Sequence, residues 1–175
     1  MGIKDKLLAV LVVMIWGFNF VVIRWGIETV HPMVMTMLRF ILTAFPMILF
    51  VKKPDVPMKF VVLYGTLFGA GVWGLVNFAV FYGMPAGMAS LLLQLSPFLS
   101  VIAATVFFNE RVTRVKFLGI VIALTGFILV CRNKADHLNL LNIGLMLVAA
   151  LFWTVCNMII KYTKPQNVIS FTVWS

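Results

Sequence analysis

Residues 7–23 read LLAVLVVMIWGFNFVVI, Leu7 to Ile23 without a single charged side chain. Coiled as a helix the run covers roughly 25 Å at 1.5 Å per residue, close to the ~30 Å of hydrocarbon in a bilayer. Five more runs of this kind follow, at about 33–51, 59–82, 87–108, 115–131 and 141–160, and the short segments between them carry nearly all the charge. No soluble core of a 175-residue chain absorbs six such runs. Composition agrees, with 63% hydrophobic residues, 11% charged residues and a mean hydropathy of +1.09, against about 45–50% apolar and 25% charged in globular domains. Backbone groups in lipid must pair within the segment, and barrel strands alternate over about 10 residues, whereas these runs are longer and continuously apolar. The expected fold class is therefore all-α, a polytopic transmembrane helical bundle.

The first run follows Lys4 and Lys6 as a secretory signal would, but it passes into Trp16-Gly17-Phe18-Asn19 and Arg24-Trp25 with no small-x-small cleavage site, and so reads as a mature helix. Lys6 stands where myristoylation of Gly2 would require Ser or Thr. Counting Lys and Arg gives ten on the side of the N-terminal tail and three on the other, with Arg39 inside a run. The positive-inside rule then places the N-terminus in the cytoplasm. The net charge of +9 is the sum of these scattered loop cations. It forms no basic face, so no nucleic-acid partner is expected.

Sliding the chain by 137 residues lays Trp16 on Trp153, Ile23 on Ile160, Arg24 on Lys161 and Trp25 on Tyr162. Span six thus repeats span one, and five intervening spans make the two copies enter the membrane from opposite faces. This pattern marks an inverted-topology repeat, an architecture of secondary transporters with a midplane site. Residues 1–137 are expected to form the first five-helix repeat and residues 138–175 the start of the second, a sixth helix and the stub of a seventh. On this reading about four helices are wanting, so the chain is expected to be a truncated piece, or a half that needs a partner such as a second copy.

Trp16-Gly17-Phe18-Asn19-Phe20, Leu38-Arg39-Phe40, Met84-Pro85-Ala86-Gly87-Met88-Ala89-Ser90, Asn109-Glu110-Arg111 and the stretch from Gly119 to Gly126 occur in that order. Together they resemble the EamA-type transporters of the drug/metabolite transporter superfamily, over nearly the whole chain. The resemblance implies ten helices in two inverted halves, a bacterial inner-membrane location with both termini cytoplasmic, and export of small amino-acid-like solutes such as cysteine or O-acetylserine. The chain departs from that pattern by lacking most of the second half, which bears on its activity alone.

Arg39 is the one cation set well inside a span rather than at its edge, about six residues past the start of its run. It cannot face lipid, since insertion scales put the cost near 2.5–3.5 kcal/mol at mid-helix. It could bind a substrate carboxylate bidentately, or, lying shallow, snorkel to headgroups. Asn19, Asn77, Gln94, Ser96, Ser100 and Asn157 are expected to face the bundle interior, as cavity lining or as interhelical glue. Pro97 after Gln94-Leu95-Ser96, and Pro46 in span two, should kink their helices and free backbone groups. Trp16, Trp73, Trp153 and Tyr82 form either an aromatic lining or an interfacial belt, a role Trp25 and Tyr162 fit better. The expected substrate pathway is therefore Trp16, Asn19, Arg39, Asn77, Gln94, Ser96, Trp153 and Asn157.

Gly65-x-x-x-Gly69, Ala70-x-x-x-Gly74 and Gly119-x-x-x-Ala123 mark expected close seams, between helices or between two copies. Asp5, Glu28, Asp55, Glu110 and Asp136 all lie outside the depths of the spans, so this half offers no buried carboxylate for a proton relay. Cys131 and Cys156 lack metal spacing, His31 and His137 are loop residues, and no catalytic motif occurs. No enzyme activity, cofactor or metal is expected. The reading is an exporter of small amphipathic metabolites by alternating access. Its rival is a non-transporting membrane scaffold or assembly subunit.

Overall fold

The computed structural model describes residues 2–133 and 139–175. Among these the ordered elements are helices: α1 Ile3–Ile27, α2 Pro32–Ile48, α3 Met58–Phe81, α4 Ala86–Phe108, α5 Arg114–Asn133, α6 Leu140–Thr163 and the short α7 Val168–Trp174. Four of them, α1, α3, α4 and α6, are long and apolar enough to cross a membrane, and α2 with 17 residues is shorter. The side chains of Cys131 and Arg132, together with Lys134, Asp136, His137 and the expected boundary between 137 and 138, lie outside the described residues.

The helix ends follow from local chemistry. The Gly2 N–H donates to Asp5 Oδ2 at 2.8 Å, so α1 starts four residues ahead of its apolar run. His31 caps α2, its Nδ1 accepting the Met33 N–H at 3.3 Å, and Pro32 takes the first helical position, where its missing N–H costs nothing. Asn109 (φ 52°) ends α4 in the left-handed conformation that asparagine tolerates, and Lys164 (φ 44°) ends α6 just before Pro165.

Two spans depart from straight helix. In α3, Leu67–Gly74 is π-helical, with wide i→i+5 turns of the kind often found at functional positions. Helix α4 is interrupted at Gln94, whose N–H bonds the Leu91 carbonyl at 3.1 Å, three residues before Pro97. That is where the proline ring would crowd the carbonyl four residues back.

Helix α6 packs along both α3 and α4, α1 packs on the C-terminal part of α3 and the start of α4, and α7 docks on α2 and α3. The core gathers Phe20 and Ile23 of α1, Trp73 and Val76 of α3, Leu92 of α4 and Met146 of α6. Fully buried Ala79, Ala89 and Ala149 let these helices approach closely. The expected seam residues are only partly the ones used. A Cβ on Gly71 would stand 2.7 Å from the Phe152 ring of α6, whereas a Cβ on Gly119 would meet no neighbouring helix within 4 Å among the described residues. Gly119-x-x-x-Ala123 therefore closes no seam among the described residues; Gly71, in the π turn, does. The outer surface stays apolar, α5 above all: Val115 is 81% and Ile122 64% exposed. A helix apolar all round has lipid, not water, as its solvent.

Candidate functional site

One face of α2, carrying Thr36, Arg39, Phe40 and Thr43 at helical spacing, lines a cavity of about 680 Å³ whose opposite wall is Phe68, Gly69 and Trp73 of α3. The Arg39 guanidinium lies on the Trp73 ring with Cζ 4.0 Å from its centroid. Its Nη1 is buried and has no hydrogen-bond partner among the described residues. Arg39 is also deeper than its sequence position suggests. Because α2 runs from Pro32 to Ile48, ending short of residue 51, Arg39 stands one residue before the helix midpoint. Its side chain stacks on an indole at mid-bundle, so the snorkelling geometry is not the one adopted.

Behind that wall the indoles meet. Trp73 stands 6.2 Å from Trp153 and Trp16 stands 6.1 Å from Trp153, edge to face; Phe68 fills the angle at 5.7 Å from Trp153 and 6.3 Å from Trp73. Such offset and T-shaped pairs add roughly 0.5–1.5 kcal/mol each beyond their buried area. Three helices thus share one aromatic junction of Trp16, Trp73 and Trp153. Tyr82 does not join it: half-exposed, it stacks on Phe78 at the end of α3.

The polar candidates divide. Asn77, fully buried, donates from Nδ2 to Thr36 Oγ1 at 2.8 Å, and Thr36 in turn donates to the Pro32 carbonyl at 2.9 Å, which ties α3 to the cavity face of α2. Asn19, half-buried on α1, leaves its Nδ2 without a partner among the described residues. Asn157 and Ser96 sit in another place, the seam between α4 and α6. There Asn157 Nδ2 donates to Ser100 Oγ at 2.9 Å, and Thr154 Oγ1 donates to the Ser96 carbonyl at 3.3 Å. Gln94 is exposed, against the expectation that it faces inward. It lies two residues from both Leu92 and Ser96, which are buried, and two residues is about half a helical turn.

The seam ends in an ion pair. The left-handed turn at Asn109 brings Glu110 Oε1 to 2.6 Å from Lys161 Nζ, and that ammonium also lies 5.0 Å from the centre of the Phe108 ring. The Lys161 hydrogen bond holds the Glu110 carboxyl below its ordinary 4.5. Thr154, Asn157 and Lys161 thus form one stripe on α6, three and four residues apart. Thr36 and the Glu110–Lys161 pair are what the sequence reading missed. Thr36 had a local signal, one turn ahead of Arg39 and Phe40, whereas the ion pair joins residues 51 apart in sequence and had none.

A family model, the EamA-like transporter family, matches residues 5–132. The chain is 36% identical, along all of its length, to a "Probable amino-acid metabolite efflux pump" of Salmonella typhimurium, covering 60% of that protein. It is 35% identical to the protein so named in Escherichia coli, again over 100% of this chain and 60% of the relative. An "Uncharacterized inner membrane transporter YedA" of Escherichia coli is 27% identical over 79% of this chain and 47% of its own length. The chain therefore spans about three fifths of the efflux pumps it matches. No solved structure matches it.

Proposed function

Because this chain belongs to the EamA-like transporter family, on a match over residues 5–132, we propose that it is part of a carrier that exports small amphipathic metabolites, amino acids or derivatives such as cysteine and O-acetylserine, by alternating access. The observation that carries this reading is the identity of 35–36% with two probable amino-acid metabolite efflux pumps along the whole chain. A multi-pass membrane protein with a cavity between α2 and α3, walled by aromatic rings and one guanidinium, suits a solute with both an apolar and an ionic end. The name of the YedA relative supports the bacterial inner membrane as the location, and the loop cations support a cytoplasmic N-terminus. The chain acts as a carrier rather than an enzyme, and its partners are the solute, lipid and either the rest of a longer protein or a second copy.

The contact of Trp16 with Trp153 supports the inverted repeat. These residues are equivalent under the 137-residue shift, and side chains that touch their own equivalents stand near the axis relating the two copies. The equivalent cations stand apart, Arg24 pairing with Glu28 at 3.3 Å and Lys161 with Glu110. Efflux of O-acetylserine from loaded cells, with and without expression of the chain, tests the reading. Faster efflux is expected. Unchanged efflux together with stable co-purification of a membrane partner would favour the scaffold, and turnover of a solute in detergent would favour an enzyme.

A further inference from the structure

An arginine stacked on an indole uses the face of its guanidinium and leaves the N–H groups in the plane, where they still need acceptors. Arg39 places its Cζ over the Trp73 ring, 4.0 Å from the centroid, and its buried Nη1 finds no acceptor among the described residues, although Thr36 and Thr43 stand one turn away on the same helix face. Thr36 Oγ1 already accepts from Asn77 while donating to the Pro32 carbonyl, and Thr43 Oγ1, which donates to the Arg39 carbonyl at 2.7 Å, takes no bond from that Nη1. A buried charged donor without an acceptor is costly, and a cavity of about 680 Å³ lies in front of it. The group that fits is planar, anionic and has two oxygens.

We propose that the Arg39–Trp73 pair is a carboxylate receptor, with the guanidinium edge forking the two oxygens of the solute's carboxylate while the Phe40 and Phe68 side of the cavity takes its apolar part. The inference deepens the export reading by naming the end of the solute that is recognised. Trp73 acts as a positioning residue. Pinned between Phe20, Phe68 and Trp153, its ring fixes the plane of the guanidinium and so the direction of the fork. Lysine, a point charge that cannot fork, would keep the attraction and lose the geometry.

The test is ligand binding to the purified full chain in a nonionic detergent, read by quenching of tryptophan fluorescence, with hexanoate and its uncharged isostere hexanamide as probes. Hexanoate is expected to bind at least about tenfold more tightly than the amide, as a charged hydrogen bond requires. Arg39→Gln should erase that preference while leaving amide binding in place, which shows that the variant still folds, and Arg39→Lys should keep part of it. Trp73→Phe should lower the preference without abolishing it. Equal binding of the two probes by the native chain, saturable binding of neither, or a preference that survives in Arg39→Gln would each overturn the receptor. Absence of any preference in the native chain alongside intact O-acetylserine efflux sinks this inference alone, whereas a clear native preference without efflux sinks the export reading and leaves the receptor standing.

Discussion

Single residues in this chain are read by the partners they keep. Thr36 is a hinge of two hydrogen bonds, accepting from Asn77 and donating to the Pro32 carbonyl. Thr36→Val should leave the Asn77 amide without its acceptor, at a cost of about 0.6 kcal/mol and at most ~1.7, the range measured for such bonds inside membranes. Unfolding of the two proteins in mixed micelles would show it, and an unchanged midpoint would mean that Asn77 finds another acceptor. The type of residue was legible at this scale and its direction was not. Asn77 had to be buried because hydrocarbon cannot satisfy an amide, and it is. Gln94 obeyed the same reasoning and still faces outward, because the buried stripe of α4 runs through Leu92 and Ser96 on the opposite side. Arg39 was recognised as the exceptional cation, but its depth depended on where α2 stops, a boundary three residues from the expected one.

Helices pair through features that sequence patterns only partly reveal. Spacing alone cannot tell which glycine of a small-residue run meets a neighbour, since the π turns of α3 re-aim the residues from 67 to 74. Gly71→Val should therefore push into Phe152 and destabilise α3 against α6 by about 1–3 kcal/mol. Gly119→Ala, with open space around it, should be neutral or slightly stabilising through helix propensity. Thermal denaturation of both variants separates the cases, and equal effects would refute the seam. The stripe joining α4 to α6 makes a prediction in pH. Glu110 is held below its ordinary 4.5 by the Lys161 hydrogen bond, so the tie between the helix ends is fully present above that ordinary value and is lost as pH falls through the depressed one. Spin labels placed at 107 and 158 should report a broader distance distribution as the pH drops below 4.5, and Glu110→Gln should give the broad distribution at every pH. An unchanged profile in the glutamine variant would assign it to another group.

The whole molecule was the most legible level, since the need to pair every backbone group in hydrocarbon leaves helices as the solution for long apolar runs. The six expected runs correspond to α1 through α6, with most ends within a few residues. Orientation rests on loop cations and can be checked directly. A cysteine placed at Ala86 should react with an impermeant thiol reagent added outside the cell, and one at Asp55 should not; the reverse pattern would invert the bundle. The outward apolar surface described for α5 has a consequence for how this chain tolerates change. In water-soluble proteins the periphery forgives a charge, but here it does not. Ser96, nearly fully buried, meets Thr154 through its backbone, so Ser96→Ala should pass almost unnoticed. Ile122→Asp, on the exposed apolar face of α5, should cost about 2.5–3.5 kcal/mol and show itself as failed insertion during synthesis. In a library of random variants of this chain, the sites that reject charge should therefore trace the shape of the surrounding oil.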